Sequence, residues 1–134
     1  MLKVVIIDAN AISRNLLGTV LTNGGHQVIG DSNASSAGVA KMIKLQPQMV
    51  CVDIGPISTE SMEILDTIHN ALPKALLFMV SGNIDSTTVQ GALERGVHGF
   101  IIKPFNAGSV LKTVRNAVLK LVKQQQARIQ DRTE

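Results

Sequence analysis

The sequence predicts an α/β fold, a doubly wound (βα)5 domain in which one five-stranded parallel sheet is covered by helices on both faces. Two observations predict this fold. Five short apolar runs, each bounded by turn-forming residues, recur along the 134 residues. The segments between the runs carry apolar residues three and four positions apart, which is the spacing of a helix that buries one face. Strict alternation of such strands and helices is typical of a parallel sheet joined by right-handed crossovers.

The predicted strands are short and apolar on both faces, as strands in the middle layer of an α/β domain are. We predict them over residues 3–7, 27–29, 49–52, 76–80 and 99–102. In sheets of this kind, ligands bind at the carboxyl ends of the strands, near the point where the strand order reverses. The residues that follow each strand are therefore the first candidates for a functional site.

The predicted helices begin and end at residues that favour helix termini. Residues that favour an N-cap precede three of them, namely Ser35 or Ser36, Ser58 and Asp85. Residues that stop a helix follow the first four, namely Asn23-Gly24-Gly25, Pro47, Pro73 and Gly96. The fifth helix is predicted from about residue 107 to beyond residue 128.

The composition indicates one compact domain without a membrane segment or a zinc site. A chain of 134 residues with 45% hydrophobic residues has the commonest domain size. No apolar stretch approaches the roughly 20 residues that span a bilayer, and an acid follows the first apolar run too soon for a signal peptide. A single cysteine and three scattered histidines lack zinc-type spacing. We therefore predict a cytoplasmic protein that does not enter membranes.

The carboxyl-terminal segment is basic, because residues 112–134 hold six lysines and arginines against two acids. The chain has no tryptophan or tyrosine on which bases could stack. We therefore interpret this charge as a solvated helix face and predict no nucleic-acid binding. Residues 123–134 are polar and are predicted to form a polar extension of the last helix or a flexible tail. An extended helix could also pair with a second copy, which leaves a homodimer open.

Polar residues follow the predicted strands. Asp8, Asp53, Ser81 and Lys103 stand at or just past strands one, three, four and five, and Gly30 and Asp31 follow strand two. Two carboxylates at one edge repel each other unless a cation neutralises them, and a lysine or a divalent metal can do so. A carboxylate beside a metal, an ammonium and a hydroxyl resembles a phosphoryl-transfer site in which the aspartate is the nucleophile.

Three linked motifs resemble those of response-regulator receiver domains of two-component systems, in particular the stand-alone chemotaxis-type regulators. Residues 92–105, ALERGVHGFIIKPF, are similar to the family's helix-Gly-x-x-Gly-aromatic-x-x-Lys-Pro-Phe signature. VCVDIG at 50–55 and FMVSG at 78–82 resemble the phosphoacceptor strand and the hydroxyl-bearing strand. The resemblance implies a flavodoxin-like receiver domain over residues 1–122.

The resemblance also implies roles for individual residues. Asp53 would be the phosphoacceptor, Lys103 would contact an oxygen of the acyl phosphate, and the Ser81 hydroxyl would turn toward it. Phe100 would be the aromatic switch residue whose packing follows Ser81. The bond between Lys103 and Pro104 would be cis.

The resemblance further implies Mg²⁺, held by the side chains of Asp8 and Asp53 and by the backbone carbonyl of Gly55. The family carries two adjacent acids after the first strand, whereas this chain has Asp8-Ala9-Asn10. Mg²⁺ prefers hard oxygen ligands in octahedral geometry, so water or Asn10 would take the place of the absent carboxylate. We predict that Ala9 weakens metal binding.

The leading functional hypothesis is a receiver that takes a phosphoryl group from a histidine kinase or phosphotransfer protein and relays the change by protein contact. The resemblance places the downstream contact on the face of the fourth helix, fifth strand and fifth helix. Such a protein is not an enzyme beyond its own phosphorylation and dephosphorylation. The alternative is a pseudo-receiver that binds partners without phosphorylation, which the absent acid favours. A phosphatase would need an acid where Gly55 stands, and a flavin carrier would need a phosphate-binding loop where ANAISRN stands.

Overall fold

The structure is a computed structural model that describes residues 1–133 and the side chains as far as residue 129. Strands and helices alternate strictly along the chain. The elements are β1 (Lys3–Ile7), α1 (Ala11–Asn23), β2 (Gln27–Ser32), α2 (Ser36–Lys44), β3 (Met49–Val52), α3 (Thr59–Ala71), β4 (Leu76–Ser81), α4 (Ser86–Glu94), β5 (Gly99–Ile102) and α5 (Ala107–Thr133). Glu134, the last residue of the predicted polar extension, lies outside the described residues.

The five strands form a single parallel sheet in the order β2-β1-β3-β4-β5, which confirms the doubly wound fold. From β1 the chain moves outward to β2, and from β3 it moves outward in the opposite direction to β4 and β5. The direction of winding therefore reverses between β1 and β3, which is the place where sheets of this kind bind ligands.

Two apolar layers form the core, one on each face of the sheet. Helices α1 and α5 pack against one face, and α2, α3 and α4 pack against the other. Successive residues of each strand point to opposite faces, so Val4 and Ile6 join one layer while Val5 and Ile7 join the other. The continuous apolar runs of the sequence thus bury both faces of the sheet.

The second strand is longer than the sequence predicts, and one prediction is therefore wrong. Gly30 and Asp31 do not follow β2 but lie within it, where they pair with Val5 and Ile6 after a shift in register. Pairing with the neighbouring strand overrides the low strand propensity of glycine and aspartate. The other strands match their predicted bounds, except that β4 extends by one residue.

The predicted helix caps are confirmed. The side chains of Ser35, Ser58 and Asp85 each accept a hydrogen bond from the N–H of the residue three positions later. Helix α5 begins at Ala107 and continues through Thr133, well beyond residue 122. Within residues 1–133, no helix combines the length and the apolar character needed to cross a membrane.

Candidate functional site

Asp8 and Asp53 lie at the carboxyl edge of the sheet, directly after the neighbouring strands β1 and β3. Backbone pairing continues one residue past each strand. The Asp53 N–H donates to the Ile7 carbonyl at 2.8 Å, and the Asp8 N–H donates to the Ser32 carbonyl at 2.9 Å. The sheet ladder therefore fixes the backbone of both acids at the point where the winding reverses.

Lys103 joins the two acids. Its Nζ donates to Asp53 Oδ2 at 2.6 Å and to Asp8 Oδ2 at 2.8 Å. The side chains of Asp8, Asp53 and Lys103 are 7%, 17% and 23% exposed, so the ion pairs are largely shielded from water. Burial acts to lower the pKa of Lys103, but the hydrogen bonds and charges of Asp53 and Asp8 raise it above its ordinary value. The ammonium therefore stays charged at neutral pH.

Backbone N–H groups orient the second oxygen of each carboxylate. The Asn10 N–H donates to Asp8 Oδ1 at 2.9 Å, and the Gly55 N–H donates to Asp53 Oδ1 at 2.8 Å. Gly55 has a φ of 74°, a left-handed conformation that glycine adopts without strain. Two carboxylates share one ammonium, so the cluster retains one uncompensated negative charge.

Arg14 is a member of this region that the sequence reasoning missed. Its Nη1 donates to the Asp8 carbonyl oxygen at 2.6 Å, and its Nε donates to Asp31 Oδ1 at 3.1 Å. The guanidinium thus ties the end of β1 to β2 and to α1. A cation is unfavourable near a helix N-terminus, so an arginine at the fourth residue of α1 could have indicated that its side chain has an acidic or carbonyl partner elsewhere.

Ser81 is the last residue of β4, beside the backbone of Lys103. Its carbonyl accepts a hydrogen bond from the Lys103 N–H at 3.0 Å. Its Oγ accepts from the Asn83 N–H at 3.1 Å and donates to the Asn83 carbonyl at 3.2 Å. The structure therefore brings Ser81 to the same edge as the acids, with its hydroxyl held by its own loop.

Phe100 lies in β5, where it pairs with Met79 of β4. Its ring is half-buried and packs against the core layer of α2, α3 and α4. The peptide bond between Lys103 and Pro104 is cis, which confirms that prediction. Phe100 is thus connected to the site through a short strand that ends at Ile102, directly before Lys103.

The oxygen ligands expected for Mg²⁺ are present in part. The carboxylates of Asp8 and Asp53 converge, and such hard oxygens are the ligands this ion prefers. Ala9 supplies no ligand, and the Asn10 side-chain oxygen caps α1 by accepting from the Ser13 N–H at 3.0 Å. Among the residues that the structure describes, no group of three or more His, Cys, Asp or Glu side chains is placed to hold a metal. These carboxylate oxygens therefore fit a cation that prefers oxygen ligands and that keeps water at its remaining coordination positions.

The comparison with protein families gives the class of protein to which this chain belongs. Residues 4–115 match the family model described as the response regulator receiver domain. The match spans most of the chain, so the chain belongs to the response-regulator receiver family. It is a receiver domain of two-component signal transduction and not a classical enzyme.

The individual relatives share only about a quarter of their residues with this chain. The chemotaxis protein CheY of Listeria monocytogenes is 27% identical over 117 residues, which are 87% of this chain and 98% of that protein. The response regulator protein VraR of Staphylococcus aureus is 25% identical over 115 residues, 85% of this chain and 55% of VraR.

Solved structures share the fold. The chemotaxis response regulator CheY4 of Vibrio cholerae has a TM-score of 0.74 at 22% identity and covers 87% of this chain and 98% of its own. NtrX from Brucella abortus has a TM-score of 0.79 at 24% identity over 98% of this chain and 30% of its own. At these identities the structural likeness supports the fold alone.

Proposed function

We propose that Asp53 accepts a phosphoryl group from a histidine kinase or phosphotransfer protein and that the change passes to a downstream protein by contact. The observation that carries the proposal is the Lys103 ammonium shared between Asp53 and Asp8. A carboxylate held beside a fixed cation can attack phosphorus while the cation stabilises charge on the transferred group.

In the proposed step, a carboxylate oxygen of Asp53 forms a bond to phosphorus. The bond between phosphorus and the donor imidazole nitrogen breaks, and the imidazole leaves with that electron pair. Lys103 exchanges its contact with Asp53 Oδ2 for a contact with an oxygen of the transferred group. The Gly55 N–H holds Asp53 Oδ1 throughout, which fixes the direction of attack.

Asp8, Asp53 and the Gly55 carbonyl would hold Mg²⁺ in this site. The ion, when bound, supplies positive charge that offsets the carboxylates and the phosphoryl oxygens. Asp8 is already oriented for this role by the Asn10 N–H and by Lys103. The negative charge left over in the cluster attracts a cation even though Ala9 adds no ligand.

We infer that Ser81 and Phe100 carry the change from the site to the surface. The Ser81 hydroxyl would exchange its bonds to Asn83 for a bond to a phosphoryl oxygen, and the half-buried Phe100 would repack in response. The face of α4, β5 and α5 would then change shape. Leu93 on α4 and Ile102 on β5 are large exposed apolar residues that a partner could cover there. Moving this equilibrium from 1:99 to 99:1 takes about 5.5 kcal/mol of differential binding.

Mass spectrometry of the chain incubated with Mg²⁺ and acetyl phosphate tests the proposal. The unmodified chain should gain one phosphoryl group, and Asp53→Asn should gain none. Asp31→Asn is the matched control, because Asp31 is an acid at the same edge that pairs with Arg14 and not with Lys103. Failure of the unmodified chain to gain the group at saturating Mg²⁺ would contradict the proposal.

The pseudo-receiver alternative makes the opposite prediction for partner binding. It expects equal partner affinity for the unmodified chain and for Asp53→Asn, both treated with phosphodonor, whereas a phosphorylated receiver expects a difference. Self-catalysed dephosphorylation is followed in the same experiment from the decay of the adduct after donor removal. The cytoplasmic location stays a prediction, which cell fractionation checks.

A further inference from the structure

Arg14 closes a ring of hydrogen bonds around the turn that carries Asp8. Its Nη1 donates to the Asp8 carbonyl oxygen at 2.6 Å. The Asn10 N–H donates to Asp8 Oδ1 at 2.9 Å, and the Arg14 N–H donates to the Asn10 carbonyl oxygen at 3.1 Å. The turn over residues 8–10 is therefore tied to the first turn of α1 through both the backbone and the side chain of Asp8.

Asp31 holds the other side of the same guanidinium. Its Oδ1 accepts from Arg14 Nε at 3.1 Å, and the Arg14 side chain is only 19% exposed. Because Nε and Nη1 belong to one rigid plane, a contact at each of them fixes the direction of the guanidinium. The Asp8 N–H donates to the carbonyl oxygen of Ser32, which lies in β2 like Asp31. Both backbone polar groups of Asp8 are therefore held against β2, one directly and one through Arg14.

A shift in the pairing of β1 and β2 places Asp31 on the same face of the sheet as Arg14. The register shifts by one residue at Ile29, and Asp31 then pairs with Ile6, which points to the face that α1 covers. In an unshifted register Asp31 would pair with Ile7, which points to the layer of α2, α3 and α4. A bulge of one residue re-aims a side chain in this way, and such bulges are common beside functional sites.

The turn after β1 offers a single carboxylate, so the direction of that carboxylate decides how well the turn binds a cation. Ala9 supplies no ligand, and the side-chain oxygen of Asn10 caps α1. Groups that orient a ligating side chain typically change metal affinity by about 10- to 100-fold. The hydrogen bonds that fix Asp8 are therefore candidates for controlling Mg²⁺ binding.

We propose that Arg14, held by Asp31, is a positioning residue that orients Asp8 for Mg²⁺. This role rests on the proposed function, in which Asp8 is a ligand of the ion. Arg14 acts on the backbone of Asp8, whereas Lys103 and the Asn10 N–H act on its side chain. Arg14 is not itself a ligand, because a guanidinium carries positive charge and has no acceptor to offer a metal ion.

Positioning and simple electrostatics predict opposite changes in Mg²⁺ affinity. Arg14→Met removes a positive charge beside Asp8, so the Coulomb interaction alone predicts tighter binding of the cation. Loss of the hydrogen bond that holds the Asp8 carbonyl predicts weaker binding instead, by about tenfold. Arg14→Lys keeps the charge but not the planar contact with two acceptors, so its affinity should lie between those of the unmodified chain and Arg14→Met.

An NMR titration of the full chain with magnesium chloride, followed through the backbone amide shifts and without a phosphodonor, measures these affinities. Arg95→Met is the matched control, because Arg95 pairs with Asp66 of α3, on the opposite face of the sheet, and its affinity should equal that of the unmodified chain. Circular dichroism checks that each variant is folded at the temperature of the titration. Equal or tighter Mg²⁺ binding in Arg14→Met overturns the proposal, and so does an unmodified chain that binds no Mg²⁺.

A double-mutant cycle tests whether Arg14 and Asp31 act as a unit. Asp31→Ala should weaken Mg²⁺ binding, and adding it to Arg14→Met should cause no further loss. Charge alone predicts that the two substitutions cancel, so a double variant with the affinity of the unmodified chain would contradict the positioning role. Asp31→Asn keeps an oxygen that can accept from Arg14 Nε and should bind Mg²⁺ like the unmodified chain. Because no phosphodonor is present, these results are independent of whether Asp53 accepts a phosphoryl group.

Discussion

Replacing Ala9 by aspartate should tighten Mg²⁺ binding, and the structure gives the reason. Ala9 is exposed in the turn between Asp8 and the Asn10 helix cap, so a larger side chain there displaces no core residue. The new carboxylate would join two acids that share the single ammonium of Lys103. It would supply the hard oxygen ligand that neither Ala9 nor the capping side chain of Asn10 offers.

The expected change in Mg²⁺ affinity follows from the binding free energy that one charged ligand contributes. A hydrogen bond or ligand contact to a charged group contributes about 1.5–3 kcal/mol. That range corresponds to about ten- to hundredfold in Mg²⁺ affinity. Without metal, the added charge meets Asp8 and Asp53 with no additional cation, so Ala9→Asp should be less stable than the unmodified chain. Adding Mg²⁺ should reverse this loss, because a ligand that binds only the folded state stabilises it.

Two titrations measure the effect. The rate of acetyl phosphate labelling is followed by mass spectrometry against Mg²⁺ concentration. In Ala9→Asp it should reach half its maximum at a Mg²⁺ concentration at least about tenfold lower than in the unmodified chain. Thermal melts followed by circular dichroism, in chelator and in Mg²⁺, give the stability. Ala9→Asn is the neutral control of similar size; its uncharged amide oxygen is a weaker ligand than a carboxylate, so its labelling curve should lie closer to that of the unmodified chain than to that of Ala9→Asp. Coincident labelling curves for Ala9 and Ala9→Asp would refute the reasoning.

Three other perturbations have defined outcomes in urea unfolding. Burial, together with the charges of His69 and Lys120, lowers the pKa of His98 from its ordinary value of 6.5. The unfolded chain therefore binds this proton more readily, so the free energy of unfolding should be at its full value above pH 6.5 and should fall below that pH. The fall should be less steep in His98→Gln. Equal slopes of stability against pH in the two chains would contradict this reasoning. Leu65→Ala empties a fully buried core position and should cost about 2–5 kcal/mol. Ser58→Ala removes the capping box of α3 and should cost about 1 kcal/mol, and an unchanged midpoint would show that the cap contributes nothing.

Much of the fold could be predicted because burial leaves a local trace in the sequence. A strand that is covered on both faces is apolar over most of its length, so β1, β3 and β5 were predicted with their bounds intact. The end of β2 was predicted wrongly, because Gly30 and Asp31 enter the strand only through pairing with β1. Local propensity records what a residue prefers alone and not what its neighbour imposes.

The predictability of the site follows the same division. Asp8, Asp53 and Lys103 could be placed at one edge because parallel strands present their carboxyl ends on the same side. The contact of Arg14 with Asp31 could not be predicted from the sequence, because it depends on β2 lying beside β1. The bonds between the Ser81 hydroxyl and the backbone of Asn83 are local, because a serine hydroxyl commonly contacts the backbone two residues on, but the sequence reasoning did not include them.

The sequence by itself determined the alternation of strands and helices, the helix caps and the polar residues that end the strands, since each depends on residues close together in the chain. The tertiary structure alone decided that the Lys103 ammonium, 95 residues from Asp8 and 50 from Asp53, bridges both carboxylates. Strand order sets which distant side chains meet, and strand order arises from pairing across the sheet. A local pattern carries no record of that pairing.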